Sequence, residues 1–335
     1  MDSTSQGFVR RALLAWGLAA LSGCAAEAEG VTAARTGTVD LDAAAFTMAD
    51  GARLPYRAWL PQGRPSAVIL ALHGFNDSRD AWELPAPRFA EAGFAVYAPD
   101  QRGFGAAPLR GHWAGSDAMA ADAAELAEFL RRRHPGSQLI LMGESMGGAV
   151  LLKLATSPLA PRDCRYVFSA PAVWGRARMN ILYRGMLWLG KTLVPGMTVS
   201  RPPPTIKIVA SDNREALIRL SSNPLTIRNT LIGTTNGLVN LMDEALAATA
   251  SFRGDGLFLY GAHDDLVPKE AMRTAWGRLP PGARLSYYKH GYHLLMRDLE
   301  RAAPISDVIS WISNPGRVLP SGGEAAALGF LAERE

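Results

Sequence analysis

Leu139-Ile140-Leu141-Met142-Gly143-Glu144-Ser145-Met146-Gly147-Gly148-Ala149-Val150 carries the strongest structural signal in the chain. Four apolar residues run into Gly-x-Ser-x-Gly, and an apolar segment continues through Leu154. An unbroken apolar run of this length predicts a parallel strand buried on both faces, and the segment after the turn predicts a helix. Strand, Gly-x-Ser-x-Gly and helix in succession form the pattern of a nucleophile elbow, a strained turn that lifts a serine hydroxyl above a sheet. The pentapeptide alone could be a surface serine in a glycine-rich turn. Its flanks give it weight.

Similar apolar runs recur on both sides of this stretch. Ala67 to Leu72, Phe94 to Asp100, Tyr166 to Ser169, Gly256 to Gly261 and Arg284 to Tyr288 predict strands. Helical patterning fills the intervals, at about 81–92, 117–133 and 269–278, with a closing helix over 305–313. Before them, Asp50-Gly51 between two alternating runs predicts a hairpin. Strands alternating with helices imply a mostly parallel sheet with helices on both faces. The rhythm breaks over 170–252, which is rich in Met and Trp, carries Pro202-Pro203-Pro204, and predicts a mostly helical insertion over the sheet. That insertion is expected either to form its own small core or to line an apolar pocket. The expected organisation is therefore a core of 41–169 and 253–313, a helical cap over 170–252 and a peripheral tail over 314–335.

Within the insertion, Gly185-Met186-Leu187-Trp188-Leu189-Gly190-Lys191-Thr192 matches the P-loop pattern letter for letter. A P-loop must link a buried strand to a helix so that its backbone N–H groups face phosphate. Here the intervening residues are apolar and no strand precedes them, so no nucleotide is expected.

The N-terminus reads as a targeting signal. Arg10-Arg11 precede a short apolar run that ends in Leu21-Ser22-Gly23-Cys24, too short to span a bilayer comfortably. Leu-Ser-Gly-Cys resembles the lipobox of bacterial lipoproteins. The resemblance implies a signal peptide over 1–23, lipidation of Cys24, a tether over 24–40 and an exported protein anchored at the periplasmic face, with the outer membrane as the expected destination. Cys164, the only other cysteine, then has no intramolecular partner and reads as a small apolar residue. With 48% apolar residues the chain has ample material for a core. A net charge of +4 with dispersed basic residues points away from nucleic acid. No His-Glu-x-x-His or paired-cysteine spacing points to a metal, and no cofactor is expected.

A serine becomes nucleophilic when a base takes its proton and a carboxylate orients that base. Candidates follow Ser145 in the order Ser, Asp, His, each after an expected strand. His73-Gly74, Asp100-x-Arg102-Gly103-x-Gly105, Gly143-Glu144-Ser145-Met146-Gly147-Gly148, Gly261-x-x-Asp264 and His293-x-Leu295 together resemble the monoacylglycerol lipase and lysophospholipase branch of the α/β-hydrolase superfamily, also grouped with serine aminopeptidase-like hydrolases. The resemblance spans about 46–313. It departs at Glu144 and Phe104, where that branch commonly has histidine; neither belongs to the triad, so the departures bear on substrate preference.

By position, the resemblance implies Ser145 as nucleophile, Asp264 rather than its neighbour Asp265 as orienting acid, and His293 rather than His290 or His263 as base. It implies an oxyanion hole from the backbone N–H groups of Phe75 and Met146, with His73 bracing the oxyanion loop. The function expected is hydrolysis of carboxylic esters of amphiphiles, such as monoacylglycerols or lysophospholipids, through an acyl-enzyme and with the membrane as a partner. The competing readings are a peptidase, amidase or acyltransferase with the same triad, and a non-enzymatic lipoprotein that keeps the fold as a binding module.

Overall fold

The computed structural model of the chain describes residues 38–40, 44–176, 181–199 and 208–333. Cys24 and the expected signal peptide lie outside the described residues. Three short strands, β1 (Thr38–Asp40), β2 (Ala45–Thr47) and β3 (Arg53–Trp59), form the antiparallel start, with the Asp50-Gly51 turn between β2 and β3. Then come β4 (Ala67–Leu72), helix α1 (Pro85–Glu91), β5 (Phe94–Pro99), α2 (Ser116–Arg133), β6 (Gln138–Glu144), α3 (Met146–Ala155) and β7 (Cys164–Ser169). The insertion contributes α4 (Ile181–Leu193), β8 (Thr198–Val199), α5 (Arg214–Ser222), β9 (Thr230–Leu231) and α6 (Ile232–Ala248). The chain returns through β10 (Asp255–Gly261), α7 (Lys269–Trp276), β11 (Arg284–Tyr288), α8 (Ala302–Ser313) and α9 (Gly323–Ala332).

The main sheet runs β1-β2-β3-β5-β4-β6-β7-β10-β11. From β5 to β11 every pairing is parallel, and β3 joins β5 antiparallel. This is the α/β-hydrolase architecture expected from the strand and helix rhythm. Alternation along β4 explains why both faces must be covered. Val68, Leu70 and Leu72 enter one core beside α2, α3, α7 and α9, whereas Ala67, Ile69 and Ala71 enter the other beside α1 and α8. Because the strands are parallel, the loops after β4, β6, β10 and β11 emerge at one edge. All the candidate catalytic residues sit there.

Two features differ from expectation. The segment beyond Pro315 is not peripheral: α9 packs on β11, and Phe330 is fully buried against Tyr260, Trp276 and Tyr287. Sheet edges expose unpaired backbone and apolar rings, and α9 covers this one. In the insertion, Met186, Trp188 and Met197 are 56%, 61% and 55% exposed rather than enclosed. The Gly185–Thr192 segment lies wholly within α4, where backbone N–H groups serve the helix rather than a phosphate loop. Among the described residues no helix is long and apolar enough to cross a membrane.

Candidate active site

Close packing between β6 and α3 forces the Ser145 turn. A Cβ on Gly143 would stand 2.4 Å from the carbonyl carbon of Gly147, and one on Gly147 would stand 2.3 Å from the carbonyl oxygen of Leu72. Only glycine allows strand, turn and helix to approach so closely. Ser145 itself adopts φ 52° and ψ −113°, a conformation that costs a non-glycine residue about 1–3 kcal/mol. Three backbone hydrogen bonds hold it there. The Ser145 N–H donates to Ser169 at 3.0 Å, and its carbonyl accepts from Ala149 at 3.1 Å and Ala172 at 2.9 Å. The side chain stays partly open to solvent while its neighbours Glu144 and Met146 are buried.

The loops after β10 and β11 bring Asp264 and His293 together. His293 Nδ1 lies 2.8 Å from Asp264 Oδ2, and both side chains are buried. Asp264 Oδ1 accepts the N–H groups of Leu266 and Val267, each at 2.8 Å, which fixes the carboxylate. A carboxylate at Nδ1 keeps the proton on that nitrogen and leaves Nε2 as the basic one. Burial alone would pull the His293 pKa down; the charge and hydrogen bond of Asp264, with the charge of Glu144, outweigh it and leave it above the ordinary histidine value.

The alternatives separate cleanly. Asp265 is exposed, and its Oδ2 accepts the Val209 N–H at 3.0 Å, so it ties the insertion to the core. His290 is exposed, and His263 is exposed and stacked on Tyr292. Among these histidines, only His293 meets a buried carboxylate.

The backbone N–H groups of Phe75 and Met146 are the expected oxyanion donors; Met146 directly follows Ser145, and Phe75 directly follows Gly74. Met146 is the first residue of α3, so its N–H is among the helix donors without an intrahelical partner. Gly74 lies against the elbow, where a Cβ would stand 3.5 Å from Ser145 Cβ. His73 is fully buried and engaged on both ring nitrogens: Nδ1 is 2.8 Å from the Gly74 carbonyl, and Nε2 is 3.0 Å from the Gln101 N–H. A second bond runs from Gln101 Nε2 to the His73 carbonyl at 2.7 Å. Its place is as a brace of this loop. The Asp100-x-Arg102-Gly103-x-Gly105 run is likewise internal scaffolding. Asp100 accepts the Arg79 and Ala106 N–H groups, and Arg102 pairs with Asp122 and Asp50.

The insertion is fastened to the same loops. Asn76 donates to Thr230 Oγ1 at 2.6 Å and accepts from the Ile227 N–H at 2.9 Å, while Leu294 N–H donates to Ala210 at 2.9 Å. Beneath α5 lies a cavity of about 540 Å³, bordered by Asp77, Arg79, Glu83, Arg219 and Arg297. Its charges of both signs make it a poor place to bury an acyl chain.

Sequence reasoning missed Arg297 and Asp77. Arg297 is buried, with Nη1 2.8 Å from Asp77 Oδ2 and Nη2 bonded to Glu144 Oε1. An arginine closing the apolar run Leu294-Leu295-Met296 was the available signal, because such a residue is rarely buried without partners.

Residues 63–300 match the family described as "Serine aminopeptidase, S33". A monoacylglycerol lipase of Mycolicibacterium smegmatis is 29% identical over 279 residues, covering 80% of this chain and 95% of that protein. The crystal structure of Paleococcus ferrophilus monoacylglycerol lipase is similar with a TM-score of 0.64 and 22% identity, over 77% of this chain and 98% of that one. A soluble variant of monoglyceride lipase from Saccharomyces cerevisiae, in complex with a substrate analogue, gives 0.67 and 18%, over 80% and 94%. The chain belongs to the serine aminopeptidase family of α/β-hydrolases.

Proposed function

We propose that this member of the family is a serine hydrolase that cleaves carboxylic esters of amphiphilic lipids, monoacylglycerols or lysophospholipids, through an acyl-enzyme. One observation carries it: a serine held at positive φ on an elbow at the same sheet edge as a buried, carboxylate-bonded histidine. In this reading His293 Nε2 takes the Ser145 proton as Oγ attacks the ester carbonyl. The N–H groups of Phe75 and Met146 stabilise the oxyanion. Collapse expels the alcohol with a proton from His293, and water activated by the same nitrogen releases the fatty acid.

The exposed apolar side chains of Met186, Trp188, Leu189 and Leu193 on α4 support a lipid substrate, since solvent-facing clusters of this kind mark interaction surfaces. Similarity to monoacylglycerol lipases supports the same class. Anchoring through lipidated Cys24 at the periplasmic face of the outer membrane belongs to this proposal and places the enzyme where such substrates partition. The family's aminopeptidase description favours one second reading, cleavage of aminoacyl amides by the same residues. A panel of acyl esters graded in chain length, assayed beside aminoacyl amides, tests the choice. Preference for long-chain monoesters is expected; preference for the amides would replace the lipid reading with the second.

A further inference from the structure

Arg297 lies at the meeting point of three loops. Four residues after His293, its guanidinium extends one arm to Asp77, two residues beyond Phe75, and the other to Glu144, directly before Ser145. Asp77 is fixed in turn, since its Oδ1 accepts the Ser78 N–H at 2.8 Å. The Glu144 carboxylate is lodged under the oxyanion loop, where a Cβ on Gly74 would stand 3.6 Å from Glu144 Oε1. The Arg297 carbonyl accepts from Asn213 Nδ2 at 2.8 Å, which holds the backbone of the arginine against the insertion.

Burying a guanidinium and two carboxylates costs several kcal/mol per ion, and well-packed apolar side chains would stabilise the fold at least as well. What apolar side chains cannot supply is directional contact with two separate loops at once. A planar fork that reaches two carboxylates fixes distance and angle together.

We propose that Arg297 is a clamp that sets the spacing of the oxyanion loop, the Ser145 elbow and the His293 loop, and that Glu144 and Arg297 are positioning residues for Ser145 and His293. The proposal rests on the reading of Ser145 and His293 as nucleophile and base. It also explains the departure at Glu144. A carboxylate before the serine is the partner that a guanidinium from the base loop requires.

The clamp also acts on His293 by its charge. Among the described residues, Arg297, Asp77, His293 and Asp298 face Glu144. Facing His293 are Asp264 and Glu144, which favour its protonated form, and Arg297, which opposes it. Removing the charge of Glu144 therefore lowers the pH at which His293 loses its proton.

Glu144→Gln is the sharpest variant. It keeps an oxygen acceptor for Arg297 and leaves Arg297 and Asp77 as a neutral pair. Expected are a melting temperature close to wild type, a fall in kcat of about tenfold to a hundredfold with little change in KM, and an acid limb of kcat/KM displaced to lower pH. Arg297→Lys, which keeps the charge but loses the two-armed reach, is expected to lower kcat similarly and leave the acid limb in place. Wild-type kcat in either variant, or a kcat loss accounted for entirely by the folded fraction, would overturn the clamp. Ser145→Ala distinguishes the two levels of failure. If Ser145→Ala is inactive while both variants are fully active, only the clamp falls; if Ser145→Ala is active, the reading beneath it falls first.

Discussion

Asp264 and His293, 29 residues apart in sequence, meet at 2.8 Å with both side chains buried, whereas neighbouring Asp265 faces solvent and holds the insertion. Two adjacent aspartates thus have opposite environments. Asp264→Asn is expected to lower kcat roughly 10⁴-fold, because the amide no longer fixes the tautomer with its proton on Nδ1. Asp265→Asn is expected to stay within a few-fold of wild type. Steady-state kinetics on a soluble monoester measure both, and the opposite ranking would reassign the acid.

In the proposed mechanism activity is limited at low pH, since only neutral His293 can accept the serine proton. Asp264 and Glu144 hold its pKa above the ordinary histidine value despite burial. The acid limb of kcat/KM is accordingly expected above that value, with activity rising as pH increases through it. A limb lying below it would mean that desolvation wins over the two carboxylates.

Gly147 allows the elbow to nest beneath the end of β4. Gly147→Ala would place its Cβ 2.3 Å from the Leu72 carbonyl oxygen, immediately before the oxyanion loop. A destabilisation of about 1–3 kcal/mol follows from such overpacking. Displacement of the oxyanion loop is expected to lower kcat in the fraction that still folds. Thermal melts with kinetics on the folded enzyme check both parts.

Phe330 anchors α9 on the sheet edge, with its ring centroid 4.6 Å from that of Tyr287 and 5.5 Å from that of Trp276. Phe330→Ala is expected to cost about 3–5 kcal/mol, as for other fully buried aromatics. Denaturant titration measures it. An unchanged midpoint would return the segment beyond Pro315 to the peripheral role its composition implies.

Much of this was legible because it is local. Apolar runs such as Ala67 to Leu72 and the glycines around Ser145 leave few alternatives for strand, turn and helix, and the order Ser, Asp, His follows from the topology. The choice of Asp264 over Asp265 and of His293 over His290 needed a resemblance, since burial depends on the loops packed above them. For Arg297 the one signal was its place at the end of Leu294-Leu295-Met296, and its pairing with Asp77 was not legible, because the two lie 220 residues apart in sequence and neither belongs to a motif. The burial of Phe330 escaped for a related reason: an Ala- and Gly-rich segment has weak amphipathic patterning, so its apolar face emerges only against the exposed edge of β11.

The proposed mechanism turns on a covalent intermediate at Ser145. Acid quench during turnover of a long-chain monoacylglycerol, followed by mass spectrometry of the peptide containing Ser145, tests it directly. An acyl mass on Ser145 that disappears in Ser145→Ala together with activity is expected. Turnover by Ser145→Ala, or an acyl group on another residue, would contradict it.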